Sequence, residues 1–128
     1  MGKYGLAATK AINIILNNLA ETPVKAWELA TSEVFGEGTA AQKKGCPKGA
    51  FLGLCEEGKV KGIRRGSYSR SRKNKEYALK AIEILKNNHN LSTQPDELWR
   101  IIQYNKIKVH NQQMDVVCTL WNKGYIIE

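Results

Sequence analysis

All three prolines of this chain stand where an apolar-periodic stretch begins, and that placement most restricts what the chain can fold into. A proline lacks the N–H that an interior helical position must donate, whereas the first turn has no use for it. Pro23 follows Thr22, a suitable N-cap, and heads TPVKAWELATSEVFG, which Gly36 would terminate. Pro47 opens CPKGAFLGLCEEG, closed by Gly58, and Pro95 opens STQPDELWRIIQ. The chain is therefore expected to be mainly α.

Hydrophobic periodicity supplies the other helices. The first is predicted from about Tyr4 to Leu19, with Ala8, Ala11, Ile12, Ile15 and Leu19 on one face. A fourth spans about Asn74 to Asn88. NQQMDVVCTLWNKG makes a sixth that Gly124 stops, leaving YIIE as a strand-like tail. GEGTAAQKKG, residues 36–45, reads as a loop. Three short matches appear in the same order: KAINIILNN at 10 with KAIEILKNN at 80, PVKAW at 23 with PDELW at 95, and LCEEGKV at 54 with LWNKGYI at 120. They predict an internal duplication, each copy being three helices and a following strand. In both copies a glycine would take the left-handed helix end before an apolar residue enters the strand.

Three helices followed by such a strand look like a winged helix-turn-helix, in which the third helix enters the major groove and the wing reaches the flanking backbone. On that resemblance KVKGI is the first wing strand, RRGS the turn and YSRSR the returning strand. The expected architecture is six helices in two three-helix, helix-turn-helix-like halves, with a short β wing after the third helix. The halves are residues 1–75 and 76–128, packed as one compact unit. The second copy has no room for a wing, and MDVVCTLWNKG offers one lysine against one aspartate. It is expected to serve in packing or as the contact of a homodimer.

The net charge is +8, and the whole excess sits in one segment. Lys59, Lys61, Arg64, Arg65, Arg70, Arg72, Lys73 and Lys75 follow Gly58 with no acid among them, while the remaining twelve basic residues are balanced by twelve acidic ones. Such patterning points to one anionic contact surface. The arginines can pair bidentately with phosphates, Tyr68 can stack on a sugar or base, and Gly66 with three serines lets backbone N–H groups approach. Lys43, Lys44 and Lys48 surround the start of the third helix, whose dipole attracts anions. There Gln42 and Lys48 are the candidates for base edges. A solvated basic linker is the plain alternative, and docking of an acidic protein is the functional one. A membrane surface is not expected, because the segment has no apolar face.

Cys46, at a helix start between lysines, is a possible reactive thiol, although no histidine lies near it in sequence. Cys55 and Cys118 occupy apolar helix positions and are expected in the core. Neither the cysteines nor His89 and His110 show metal-ligand spacing, and no P-loop, GxGxxG or GxSxG pattern occurs. No metal or cofactor is therefore expected, and a thiol-dependent enzyme centred on Cys46 stands as the third reading, behind nucleic-acid binding and docking of an acidic protein. The N-terminus lacks a signal-like apolar centre and no run is long enough to span a bilayer, so the cytoplasm is the expected compartment. Gly45, Gly49 and Gly53 recur on one helical face and read as tight helix–helix packing. Glu56 and Glu57 stand near a helix C-terminus, where the dipole disfavours them, and are expected to pair with the neighbouring basic run.

KKGCPKGAFLGLCEEGKVKGI followed by YSRSRKNKEYALKA resembles a group of short bacterial proteins of uncharacterised function, over residues 4–86 and chiefly through GCPKGAFLGLCEEG. The resemblance implies no activity. The expected function is nucleic-acid binding, DNA foremost, through residues 59–75 and the start of the third helix. Arg64, Arg65, Arg70 and Arg72 forming one face with that helix start would favour it. Each being tied to an internal carboxylate would oppose it.

Overall fold

The computed structural model describes residues 2–103, 110 and 112–128. These form six α-helices, α1 Gly2–Leu16, α2 Pro23–Phe35, α3 Gly45–Glu56, α4 Arg72–Asn87, α5 Pro95–Gln103 and α6 Gln113–Asn122, with a 3-10 turn His89–Thr93 before α5. Pro23 and Pro95 are first residues of their helices, and Pro47 lies in the first turn of α3. The Thr22 hydroxyl accepts the Lys25 N–H at 3.2 Å, and Gly36 donates its N–H to Ser32 at 2.9 Å to close α2.

Two helix ends differ from the periodic reading. Asn18 turns to a φ of 59°, and the Leu19 N–H bonds back to the Ile14 carbonyl at 2.9 Å. Leu19 is thereby thrown off the helix and is 69 % exposed instead of joining the core face. At the other difference, Ser71 caps α4 by accepting the Asn74 N–H at 3.3 Å. Arg72 and Lys73 are therefore helical and not part of a loop.

Helix α3 lies at the centre. Its Pro47, Gly49, Ala50, Phe51, Leu52, Gly53, Leu54 and Cys55 are all buried, and it packs chiefly on α4 and α6. Helix α1 lies on α2 and α6. Trp27 of α2 stacks on Phe51 with ring centroids 5.1 Å apart. Helices α3 and α6 end alike. Gly58 and Gly124 take φ of 71° and 78°, and the following N–H groups of Lys59 and Tyr125 return to Leu54 and Leu120, each at 3.0 Å.

The β wing is not formed. Among the described residues there is no strand, only an isolated antiparallel bridge between Val60 and Ile126. The Lys61 N–H donates to Tyr125 and the Ile127 N–H to Lys59, both at 2.8 Å. KVKGI thus spends its ladder bonds on the chain's own tail, and Gly62, at φ 80°, turns away before any hairpin with YSRSR can pair. The third helix itself is packed inside the protein, Gly49 to Cys55 being buried. Burying each of Phe51, Leu52 and Leu54 contributes about 1.5–3 kcal/mol. Freeing α3 for a DNA groove would therefore cost an amount comparable with the roughly 5–15 kcal/mol that holds a domain folded. No helix among the described residues is long and apolar enough to cross a membrane.

Candidate nucleic-acid interface

The site grows from the glycines of α3. A Cβ on Gly49 would lie 2.8 Å from the Cβ of Asn74, and one on Gly53 would lie 2.7 Å from the Cα of Lys75. Their absent side chains let α4 lie directly against α3, as the spacing predicts. Gly45 faces open space and takes no part in that packing. The close approach sets the Lys75 stem over Gly53, and its ammonium then reaches both carboxylates at the end of α3. It bonds Glu56 at 2.6 Å and also contacts Glu57.

Glu56 does more than pair with a lysine. Its Oε1 accepts the backbone N–H of Tyr68 at 2.8 Å and that of Ser69 at 3.1 Å, while Oε2 takes Lys75. The Lys75 hydrogen bond, followed by those two N–H groups, holds the Glu56 carboxyl down at about 2. Glu57 is also lowered, mainly by the hydrogen bond from Lys75, and Lys75 is raised by the same two partners. Glu57 accepts no backbone N–H among the described residues, and its other contact is the Arg65 guanidinium at 3.7 Å. The anomalous acidic pair thus pins the basic segment to the end of α3.

The cations divide into two sets. Lys75 is spent internally, Arg65 rests its stem against Gly58 while facing Glu57, and Arg72 pairs with Glu76 at 3.3 Å one helical turn on. Arg65 and Arg72 remain 74 % and 91 % exposed at the side chain, where such pairs are worth little. Lys59, Lys61, Arg64, Arg70 and Lys73 make no ion pair among the described residues, and the Lys73 ammonium stands 5.9 Å from the Tyr77 ring. Tyr68 is half-buried and lines the cleft beside the α3 start. Its hydroxyl donates to the Arg64 carbonyl at 2.7 Å, and its ring lies so close to Gly66 that a Cβ there would meet it at 2.6 Å.

At the α3 start, Gln42 is occupied with its own loop. It accepts the Gly38 N–H at 2.9 Å and donates to the Ser32 hydroxyl at 2.9 Å. Lys44 donates to Gln112 and stands 6.0 Å from the Tyr4 ring, whereas Lys43 and Lys48 are exposed without an ion pair among the described residues. Cys46 is half-buried in the first turn of α3. His110 faces Asp96 at 3.3 Å and accepts the Met114 N–H at 3.1 Å, and His89 lies 5.7 Å from the Trp121 ring.

Two clefts adjoin here and share Val24 and Lys48. The larger, 660 Å³, runs between the α3 start and the pinned segment, with Lys48 and Gly49 on one wall and Ser67, Ser69 and Arg70 on the other. The smaller, 460 Å³, carries Trp27, Thr31 and Lys43 beside Glu28 and Glu37. Cys46 lines neither cleft. The structure therefore brings together Lys43, Lys48, Tyr68 and Arg70 of the predicted residues. It also adds Val24, the segment serines and the clamping carboxylate of Glu56, whose only trace in sequence is an acidic pair at a helix end that disfavours it.

These features define a mainly helical protein with a cationic cleft beside its central helix. The chain belongs to the family of unknown function DUF6979, which it matches over residues 1–127. Comparison with curated proteins and with solved structures finds no match.

Proposed function

We propose that this protein binds nucleic acid through its phosphate backbone, without reading base edges, at the cleft between the α3 start and residues 64–73. The observation that carries the proposal is the placing of Lys48 and Arg70 on opposite walls of that cleft, neither neutralised by an acid among the described residues. Lys43 adds a cation to the adjoining cleft, Arg64 and Lys73 lie nearby in the same stretch of chain, and Arg65 and Arg72 stay exposed enough to exchange weak internal partners for phosphates. Base reading is left out because α3 is buried and Gln42 is engaged.

The proposal includes the internal duplication. It is supported by the matching helix ends at Gly58 and Gly124 and by paired close approaches, Gly53 against Lys75 and Gly5 against Thr119. In the second copy Val109, His110 and Met114 fall where the first has Lys43, Lys44 and Lys48, so the phosphate contacts belong to the first.

Fluorescence anisotropy of a mixed-sequence duplex, titrated over several salt concentrations, tests this. Each neutralised phosphate adds about −0.9 to the log–log slope, and a slope equivalent to roughly 4–6 phosphates is expected. Replacing Lys48, Arg64, Arg70 and Lys73 together with Gln should remove most of it, with unrelated duplexes binding alike. No binding at low salt overturns the proposal. So does binding confined to an acidic polypeptide such as polyglutamate, which would make the site a dock for an acidic protein.

A further inference from the structure

We infer that Glu56 is a positioning residue for the basic segment: its carboxylate, although negative, promotes binding of an anionic partner by fixing Tyr68 and Ser69 and with them the cationic wall of the cleft. The inference deepens the phosphate-binding reading and rests on it for its partner, but not for its geometry.

An acid beside a cationic site should, by charge alone, weaken the attraction for phosphate. Glu56 is instead built into the wall. One oxygen receives two consecutive backbone N–H groups and the other receives Lys75, so a single side chain ties residues 68, 69 and 75 to the end of α3. Between the clamped Ser69 and the α4 cap at Ser71 lies Arg70, held on both sides and left without an ion pair among the described residues. The Gly66 N–H reaches the Glu56 carbonyl at 3.4 Å, and the Ser69 hydroxyl accepts the Ser71 N–H at 3.1 Å. A segment with six cations in twelve residues repels itself and favours an open ensemble. Ordering it beforehand removes a cost that would otherwise fall on binding.

Glu57 provides the matched control. It carries the same charge one residue away and contacts the same Lys75, but accepts none of the segment's backbone N–H groups among the described residues. The two roles predict opposite signs. If charge alone matters, Glu56→Gln and Glu57→Gln both bind duplex more tightly. If Glu56 positions the segment, Glu57→Gln binds equally or about twofold more tightly while Glu56→Gln binds about 3–10-fold more weakly, the ordering cost being returned to the binding step.

The experiment measures duplex affinity by anisotropy, and hydrogen exchange of the Tyr68 and Ser69 amides, in wild type, both Gln variants and Glu56→Asp. The Asp variant keeps the charge but shortens the reach, so it serves if Glu56→Gln does not fold. Weaker binding by a folded Glu56 variant, with faster exchange at Tyr68 and Ser69 in that variant alone, is the expected result. Tighter or unchanged binding by Glu56→Gln, or unchanged exchange, overturns the inference. If wild type binds no duplex, the phosphate reading falls by itself. Exchange then decides on Glu56: protection lost in its variants and kept in Glu57→Gln upholds the clamp, and anything else refutes it.

Discussion

Replacing Gly53 with alanine sets two effects of opposite sign against each other. In an ordinary helix interior, alanine is about 1 kcal/mol more favourable than glycine. At this position the new methyl would lie 2.6 Å from the Cβ and 2.7 Å from the Cα of Lys75. Lys75 cannot rotate a backbone atom away, so α4 itself must move outward. Overpacking of this kind costs about 1–3 kcal/mol or more. The displacement also draws the Lys75 ammonium from Glu56 and Glu57, which adds to the loss. The balance is a net loss of about 1–3 kcal/mol. In urea, with a slope of about 1–3 kcal/mol per molar, the midpoint should fall by roughly 1 M with the slope unchanged. Gly45→Ala, whose methyl would meet nothing within 4 Å, is the control and should stay within about 0.5 kcal/mol of wild type. A Gly53→Ala protein as stable as wild type would refute the claim that these glycines set the α3–α4 distance.

Acid should erode stability through Glu56. Its folded carboxyl sits at about 2 against an ordinary 4.5, so the folded state binds its proton less readily than the unfolded chain. The stabilisation is complete above 4.5 and is lost as pH falls from there through about 2. Urea midpoints across that window should fall less steeply in Glu56→Gln. Lys75, raised by its partners, loses its contribution only on the alkaline side, above its ordinary 10.5, and leaves the acid limb untouched. The thiols should separate by burial. Cys55 is pushed far up by desolvation and Cys118 up to about 12, so a brief alkylation near neutral pH should label Cys46 alone. Urea should then expose all three thiols, and intact mass reads the count. Labelling of Cys55 or Cys118 in the native protein would contradict their placement in the core.

Local signals in the sequence were faithful where one residue type has one conformational use. Thr22 with Pro23, and the glycines at 36, 58 and 124, mark real helix ends because capping chemistry and positive φ act within a few residues. The four-residue glycine spacing also spoke correctly at positions 49 and 53, since a missing side chain on one helical face is an invitation to close packing. Ser71 was harder to read: in SYSRSRKNK a capping serine looks like its neighbours, and only the Asn74 N–H on its hydroxyl distinguishes it. The wing was misread for a different reason. Val60 carries no mark of its partner, and Ile126 lies in the other half of the chain, so adjacency in sequence suggested a hairpin that tertiary packing does not make. The candidate site was legible as charge, but not as geometry.

What joins the charge to the geometry is a causal chain beginning with residues that carry no charge. Gly49 and Gly53 admit α4, and α4 so placed delivers Lys75 to Glu56 and Glu57. Neutralised in part by that ammonium, Glu56 can keep a carboxylate beside a cationic segment and use its other oxygen to hold Tyr68 and Ser69. Without Lys75 the same carboxylate would stand uncompensated at a helix C-terminus, where the dipole adds to its cost. The arrangement thus engages one lysine firmly and two arginines weakly, and holds the backbone on either side of Arg70. A solvated linker needs no such outlay, because its charges act equally well disordered. Fixed cations lining a cleft gain over mobile ones when the partner's charges are regularly spaced, as successive phosphates are.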